Sequence, residues 1–318
     1  MNGFEKICSP LIPGGEVTLI CSYKPKDIIN LYSDLADIDV SMYFAGINKV
    51  DLFECNTTGY RFYYPFSLAG DGIFYAGIQK KKQLSGIDYY RDWSYDNEFA
   101  LKMINKGDKI LEIGCGTGKF CEGIQSKSIH YTGLELNDQA VTQANQKGLN
   151  VVNELIEAHC KRTPEAYDLV CAFQVLEHIA DVKSFLSSSL ESLKRGGKLI
   201  IGVPNNEPYF QRFSKYETFN LPPHHMGLWN SKVFKKLTEY FPITLKSVTY
   251  APKNERILVD AYLRAKLWSG VKSLPRFHSA FEKLKMLLLA PVTVPLSIIK
   301  RYTTGINGGY IAVAFEKS

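Results

Sequence analysis

The segment ILEIGCGTG, residues 110–118, constrains the fold of this chain more than any other feature. It begins within a short, mostly apolar run from Lys109 to Ile113. Such a run is expected of a strand buried on both faces of a parallel sheet. Its three glycines lack a Cβ, so backbone N–H groups can approach a ligand closely. A helix predicted from about Thr117 directs the positive end of its dipole into the same space. The segment therefore predicts a strand, a ligand-binding turn and a helix.

Two kinds of ligand compete for such a turn. A dinucleotide-binding turn follows G-x-G-x-x-G, and Lys119 stands here at the position of its third glycine. The spacing is instead G-x-G-x-G with Glu112 two residues earlier, which resembles motif I of the class I S-adenosylmethionine (SAM)-dependent methyltransferases. SAM has no pyrophosphate to hold, and its ammonium group suits a nearby carboxylate. The resemblance implies SAM as the cofactor.

The resemblance extends to the strands that follow. Glu135 ends a predicted strand from Ile129 to Leu134, and its carboxylate can accept two hydrogen bonds from the ribose diol. A third strand, Leu149 to Asn153, leads to the segment that the resemblance places beside the adenine. The resemblance implies cofactor contacts from Glu112, Gly114, Cys115, Gly116, Gly118, Glu135, Leu136, Asn153, Glu154, Leu155, Phe173 and Gln174. A small side chain beside the cofactor explains Cys115 better than a nucleophile does.

The order of elements predicts an α/β fold. Further strands from Tyr167 to Phe173 and from Lys198 to Val203 alternate with helices, which favours a parallel sheet. The resemblance, which covers about Gly107 to Tyr250, implies a Rossmann-like, mostly parallel seven-stranded sheet with an antiparallel last strand. Residues 243–250 and 309–316 would supply its final hairpin.

Two regions flank this sheet. Residues 1–86 are predicted to form a small β-rich N-terminal lobe, and residues 87–318 a methyltransferase domain with a helical insertion at about 253–304. The lobe is similar to a degenerate zinc ribbon, because Cys8 and Cys55 each lack the second cysteine of a C-x-x-C pair. Aromatic packing is favoured over zinc there. Tyr90 and Trp93, on a helix predicted from Tyr89 to Met103, could cover the cofactor or simply pack on the sheet.

Three histidines are the candidate catalytic residues. His178 follows the fourth strand, while His224 and His225 lie in PPHHMGLW, which resembles a segment of small-molecule methyltransferases. An imidazole titrates near physiological pH and could accept a proton from the substrate, or it could brace its loop through hydrogen bonds. No metal site is predicted, because adjacent histidines without a nearby carboxylate pair are poor ligands.

The insertion carries most of the positive charge. Residues 253–301 hold ten Lys and Arg against three acids, 10 − 3 = +7, whereas the whole chain is +6. Its apolar run, Met286 to Ile299, is shorter than the ~20 residues that cross a bilayer. Peripheral membrane contact, an anionic lipid-linked or nucleotide-linked substrate and a solvated basic face all stay open. No nucleic-acid motif accompanies the charge, so no nucleic-acid partner is expected.

The sequence predicts a cytoplasmic SAM-dependent methyltransferase, with peripheral membrane contact as the alternative location. Met1 to Pro13 lacks the pattern of a signal peptide, and the seven cysteines are scattered as reduced thiols would be. The methyl acceptor is predicted to be a small molecule, a saccharide or a lipid-linked compound. Two alternatives stay open: a catalytically inactive SAM-binding interaction protein, and a nicotinamide-dependent oxidoreductase, which Lys119 disfavours.

Overall fold

The computed structural model describes residues 7–84, 93–207, 220–252 and 309–318. The described chain forms a seven-stranded sheet with helices packed against it and a four-stranded sheet built mainly from the N-terminal residues. The predicted boundary at residues 86 and 87 and the predicted insertion lie outside the described residues. No helix in the described ranges is long and apolar enough to cross a membrane.

The large sheet has the predicted architecture. Its strands are β4 Lys109–Ile113, β5 His130–Leu134, β6 Val151–Val152, β7 Tyr167–Phe173, β8 Leu193–Pro204, β10 Ile243–Tyr250 and β11 Tyr310–Lys317. They lie in the order β10-β11-β8-β7-β4-β5-β6. Strands β4 to β8 pair in parallel, and β11 is antiparallel to both of its neighbours. The Rossmann-like α/β prediction with an antiparallel last strand is confirmed.

Helices follow the strands of this sheet. They are α3 Tyr95–Leu101, α4 Lys119–Ile124, α5 Asp138–Gln146, α6 Ile156–His159, α7 Val182–Ser192 and α8 Ser231–Leu237. Several begin where the sequence supplies a capping side chain. The Asn137 side chain accepts from the backbone N–H groups at the start of α5, and Asn230 does the same for α8. Such caps satisfy donors that a helix leaves unpaired at its first turn.

The N-terminal lobe is a mixed structure rather than a purely β one. Its elements are β1 Val17–Tyr23, α1 Pro25–Ala36, β2 Val50–Cys55, β3 Arg61–Tyr64 and α2 Gly72–Leu84. The strands agree with the β-rich composition, and the two helices add to it. Helix α1 begins with Pro25 at its first turn, a position that tolerates proline because its N–H has no partner there.

One segment of the chain contacts both the lobe and a helix beside the large sheet. Strand β9, Gly227–Leu228, completes the small sheet by pairing with β3. One residue further on, the fully buried Trp229 lies 4.5 Å from the Tyr60 ring of the lobe and 5.1 Å from the Phe234 ring of α8. A Cβ on Gly227 would lie 2.1 Å from the Tyr60 hydroxyl oxygen, so this crossing has room only for glycine.

Candidate functional site

The loops after β4 and β7 meet at the carboxyl edge of the sheet. These strands are neighbours although β5 and β6 separate them in sequence, so the strand order reverses between them. A Cβ built on Gly114 would lie 2.5 Å from Val175 Cγ2, which shows how closely the two loops approach. Open α/β sheets bind their ligands in the crevice beyond such a reversal.

The glycine loop has a conformation that only glycine adopts readily. Gly114, Gly116 and Gly118 have φ angles of 72°, 55° and 80°. At Gly118 a Cβ would also lie 2.2 Å from Leu149 Cδ1. The backbone N–H groups of Gly114 and Cys115 donate to the Leu134 carbonyl at 2.8 and 3.1 Å, which ties the loop to the end of β5. The predicted ligand-binding turn is therefore well defined.

Glu135 links the glycine loop to the loop after β5. One carboxylate oxygen accepts from the Gly116 N–H at 2.9 Å, and the other accepts from the N–H groups of Leu136 and Asn137 at 2.8 Å each. A carboxylate has about four acceptor positions, so these three bonds leave capacity for a ligand. The side chain is only half-buried. This geometry fits a group that receives the hydroxyls of a ribose.

Apolar side chains stand open beside Glu135. Leu136 and Leu155 are each 56% exposed. The Asn153 side-chain amide lies between their segments and donates to the Leu136 carbonyl at 3.4 Å and to Asp138 at 2.5 Å. Exposed leucines next to an ordered polar group fit the flat, largely apolar face of an adenine ring. The predicted adenine neighbours are thus brought together, with one exception.

The exception is the side chain of Glu154. Its carboxylate accepts two hydrogen bonds from Arg162, at 2.5 and 2.6 Å, and lies 3.0 Å from His159 Nδ1. These bonds hold the pKa of Glu154 below its ordinary value, chiefly through Arg162. The side chain is held in the turn around α6, so only the backbone of Glu154 is left for the predicted cofactor contact.

Glu112 is buried at the end of β4, where it faces other acids. It accepts a hydrogen bond from the Tyr131 hydroxyl at 2.5 Å. Burial, with smaller contributions from the negative charges of Glu135 and Asp96, raises the pKa of Glu112 to about 8. Asp96 on α3 is itself 5% exposed and was missed by the sequence analysis. These carboxyls make the crevice a suitable environment for a cationic ligand.

Gln174 and Phe173 complete the crevice from the β7 side. Gln174 has φ 59°, its N–H donates to the Gly202 carbonyl at 2.7 Å, and its side chain donates to Asp96 at 3.4 Å. A non-glycine residue in this conformation carries strain that is typical of functional loops. The Phe173 ring lies 5.0 Å from Phe120.

Two further side chains near the glycine loop, Cys115 and Trp93, pack against other parts of the protein. Burial, reinforced by Glu112 and Glu135, raises the pKa of the Cys115 thiol well above its ordinary value, so the thiol stays neutral and is a poor nucleophile. Trp93 lies over α4, with its ring 6.0 Å from Phe120 and against Gly123. Of the two roles expected for Trp93, covering the cofactor or packing within the protein, these contacts fit packing. Tyr90 lies outside the described residues.

The three candidate histidines come together beside this crevice. Their ring centres are 4.6 Å apart for His178 and His224, 5.0 Å for His178 and His225, and 4.7 Å for His224 and His225. The Nδ1–H group of His178 donates to the His224 carbonyl at 2.5 Å. The Nδ1–H group of His225 donates to the Asn220 side-chain oxygen at 3.0 Å. In both rings Nε2 then carries the lone pair.

Burial keeps two rings of this histidine cluster, which consists of His178, His224 and His225, neutral. Burial lowers the pKa of His178 to about 4, and burial together with the neighbouring histidines lowers the pKa of His225 well below its ordinary value. Two aromatic residues of α2 pack against the cluster. The Tyr75 ring lies 5.4 Å from His178, and the Phe74 ring lies 5.9 Å from His224. The N-terminal lobe thus forms one wall of this site.

The chain matches the family model of a methyltransferase domain over residues 87–241. Among curated proteins it is similar to the ubiquinone biosynthesis O-methyltransferases of Pseudomonas fluorescens and Aeromonas salmonicida. The first is 32% identical over 195 residues, which are 50% of this chain and 84% of the relative. The second is 31% identical over 123 residues, which are 37% of this chain and 50% of the relative. The chain thus spans about half the length of several such relatives and most of the Pseudomonas one.

Solved structures of similar arrangement include a SAM-dependent methyltransferase from Archaeoglobus fulgidus, at 17% identity and TM-score 0.47, covering 70% of this chain and 94% of that one. Another is a TehB-like SAM-dependent methyltransferase from Corynebacterium glutamicum, at 14% identity and TM-score 0.43, covering 77% and 96%. On the sequence matches, the chain belongs to the class I SAM-dependent methyltransferases. Its cofactor is S-adenosyl-L-methionine, which the glycine loop, Glu135 and the open leucines fit.

Proposed function

We propose that this chain transfers the methyl group of SAM to a hydroxyl oxygen of a small-molecule acceptor. The observation that carries the proposal is the position of the histidine cluster. His178 ends a short 3₁₀ turn, Leu176–His178, which begins three residues after the end of β7. The cluster therefore lies beside the cofactor loops at the same edge of the sheet. The curated relatives named as O-methyltransferases support oxygen as the acceptor atom.

The residues of the crevice would bind and orient the cofactor. In this proposal Glu135 accepts hydrogen bonds from the ribose hydroxyls, and Leu136, Asn153 and Leu155 surround the adenine. The acids Glu112 and Asp96 lie where the ammonium group would be held. SAM supplies an electrophilic methyl carbon, so alignment of the acceptor oxygen with that carbon is the main requirement on the protein.

The neutral histidines favour an acidic hydroxyl as the acceptor. Nε2 of His178 or His225 can accept the acceptor proton, because Nδ1 of each ring is a donor to a carbonyl oxygen. An imidazole with a pKa of about 4 is a weak base. It removes a proton more readily from a phenol, with a pKa of about 10, than from a far less acidic saccharide hydroxyl. In the aromatic wall Phe74 is buried, and the half-buried ring of Tyr75 suits a flat acceptor ring.

Transfer of a labelled methyl group from SAM tests this proposal. The purified chain would be incubated with phenols, catechols, saccharides and lipid-linked sugars, and the labelled products identified. Phenolic ethers are the expected products, and His178→Gln should lower kcat by roughly 10²–10⁴-fold. Labelled saccharide or lipid-linked products would overturn the phenol assignment. No transfer to any acceptor by a chain that binds the cofactor would favour the inactive SAM-binding alternative.

Glu112 should make cofactor binding depend on pH. Its pKa of about 8 means that the free protein holds a neutral carboxyl at pH 7. A cationic cofactor favours the ionised form, so binding should release a proton below pH 8. SAM affinity should then rise by up to about tenfold per pH unit between pH 6 and 8, and level off above. Calorimetry across this range measures the slope.

Glu112→Gln is the matched variant for this experiment. It keeps the shape of the side chain and cannot ionise, so its affinity should be weaker and should not vary with pH through this group. An equally steep pH dependence in wild type and variant would assign the proton to another residue.

We further propose that the N-terminal lobe is a functional part of the site. Besides the aromatic wall, the Gln79 side-chain oxygen of α2 accepts from Asn137 at 2.6 Å, directly after the segment that holds Glu135 and Leu136. The lobe thus reaches both the histidine cluster and the proposed cofactor loop. Gln79→Ala should raise the KM for SAM, and an unchanged KM would limit the lobe to the acceptor side.

A further inference from the structure

We propose that His178, His224 and His225 form a binding site for a divalent transition-metal ion such as Zn²⁺ or Co²⁺. One potential ligand atom from each ring lies within 4.8 Å of the other two. Within the described ranges this is the only group of three or more histidines, cysteines or acids so arranged. The proposal departs from the sequence-based expectation, which considered the adjacent pair His224 and His225 without the third ring.

The hydrogen bonds around the cluster favour metal ligation independently of its spacing. Histidines that bind metals usually donate their other ring N–H to a carbonyl or carboxylate oxygen, which fixes the ring and directs the lone pair at the ion. His178 and His225 both do so through Nδ1. The acceptor of His225 is fixed in turn, because the Asn220 amide donates to Asn206 at 2.9 Å. This network orders two imidazoles through Nδ1, and the buried carboxylate of Glu177 lies 3.9 Å from Nε2 of His178.

Donor type and access indicate which ions fit. Three imidazoles suit Zn²⁺ and its neighbours, whereas Mg²⁺ and Ca²⁺ prefer oxygen ligands. A tetrahedral ion with Zn–N bonds of ~2.1 Å needs ligand nitrogens about 3.4 Å apart, so modest ring rotations would close the site. The His178 side chain is 18% exposed and His224 is half-buried, so neither ring is fully enclosed by protein.

Three protein ligands leave a coordination position for an oxygen. A water or hydroxyl bound to a transition-metal ion loses its proton far more readily than in solution. If the proposed methyl acceptor bound there, its hydroxyl would ionise near neutral pH. The ion would then replace the histidine base, because ligation uses the Nε2 lone pairs. This consequence rests on the proposed function, whereas ion binding does not.

Titration of the full chain with Co²⁺ tests the site directly. The protein would be purified without a histidine tag and treated with chelator before calorimetry and visible spectroscopy. One Co²⁺ per chain is expected, with d–d absorption bands typical of four or five coordination. His178→Gln, His224→Gln and His225→Gln should each abolish the bands. His130→Gln, at an exposed position on β5, is the matched control and should leave them unchanged.

A variant outside the three histidines tests the site even if a histidine variant fails to fold. Asn220→Ala leaves all three histidines in place and removes the acceptor for His225, so Co²⁺ affinity should fall by roughly 10–100-fold. Absence of Co²⁺ binding, or equal binding by wild type and a folded triple variant, would overturn the proposal. Binding of S-adenosylhomocysteine is measured in parallel. A chain that binds this product but not Co²⁺ refutes the metal site alone, whereas loss of both in a folded chain also refutes the proposed function.

Discussion

Glu135→Ala should lower the affinity of the chain for S-adenosylhomocysteine by about 10²–10⁴-fold. In the proposed complex the carboxylate accepts two hydrogen bonds from the ribose, and bonds to a charged group contribute about 1.5–3 kcal/mol each. The variant should remain folded, because the side chain is half-buried and water can reach the amides that it releases. Calorimetric titration measures the loss, and circular dichroism monitors the fold.

Two further variants test whether the loss of affinity for S-adenosylhomocysteine comes from the Glu135 carboxylate. Glu165→Ala removes an acid that is 65% exposed and pairs with Lys317, away from the crevice, so its affinity should equal that of wild type. Glu135→Gln retains one acceptor oxygen and should fall between wild type and alanine. Unchanged affinity in Glu135→Ala would contradict the assignment of this residue to the ribose.

Trp229→Ala should destabilise the protein by about 3–5 kcal/mol, the usual cost of removing a large buried aromatic side chain. The indole is fully buried between Tyr60 and Phe234, so its loss leaves a cavity where the lobe and the large sheet join. Its Nε1 has no hydrogen-bond partner among the described residues. Trp229→Phe should therefore recover much of the stability, since it restores ring packing and loses no hydrogen bond.

Denaturant unfolding measures these differences. Tyr240→Ala is a suitable control, because this aromatic residue follows α8 in sequence and is 42% exposed. Its cost should be within about 1 kcal/mol. A cost of that size for Trp229→Ala would show that the junction does not depend on Trp229.

The central strands could be predicted from the sequence because burial leaves a strong pattern. Strands β4 and β7 begin and end where the apolar runs predicted, and the edge strand β10 also has its predicted bounds. The third strand was predicted from Leu149 to Asn153, but β6 contains two residues. Strand β6 lies at the edge of the sheet, and residues in and beside it make contacts other than strand pairing. Leu149 packs at Gly118, and the Asn145 side chain bonds both backbone groups of Val151.

The helices of the lobe were missed for a different reason. The strand-like composition of the lobe comes from aromatic residues between Phe53 and Pro65, and two strands do lie there. Proline at the first turn of α1 was a usable signal. The helix predicted from Tyr89 to Met103 begins at Tyr95, after a capping box formed by Ser94 and Asn97. That signal would have identified the helix start and its buried Asp96.

The glycine loop could be predicted from the sequence, whereas the histidine cluster could not. The glycine motif is recognised from the spacing of its residues. Glu135 is recognised from its position at the end of the next predicted strand. The histidine cluster brings His178 next to His224 and His225, which are distant in sequence. No local sequence pattern predicts that contact. Both segments do follow neighbouring parallel strands, β7 and β8, so their common edge could have been inferred. The Nδ1 hydrogen bonds that orient the rings emerge only from the folded structure.

Titration of the purified chain with S-adenosylhomocysteine tests the central claim most directly. The fold, the glycine loop and the family match predict micromolar binding, at one molecule per chain, and no competition by NAD. A folded chain that fails to bind, or that binds NAD in its place, would contradict the account of the crevice between β4 and β7 as a SAM site.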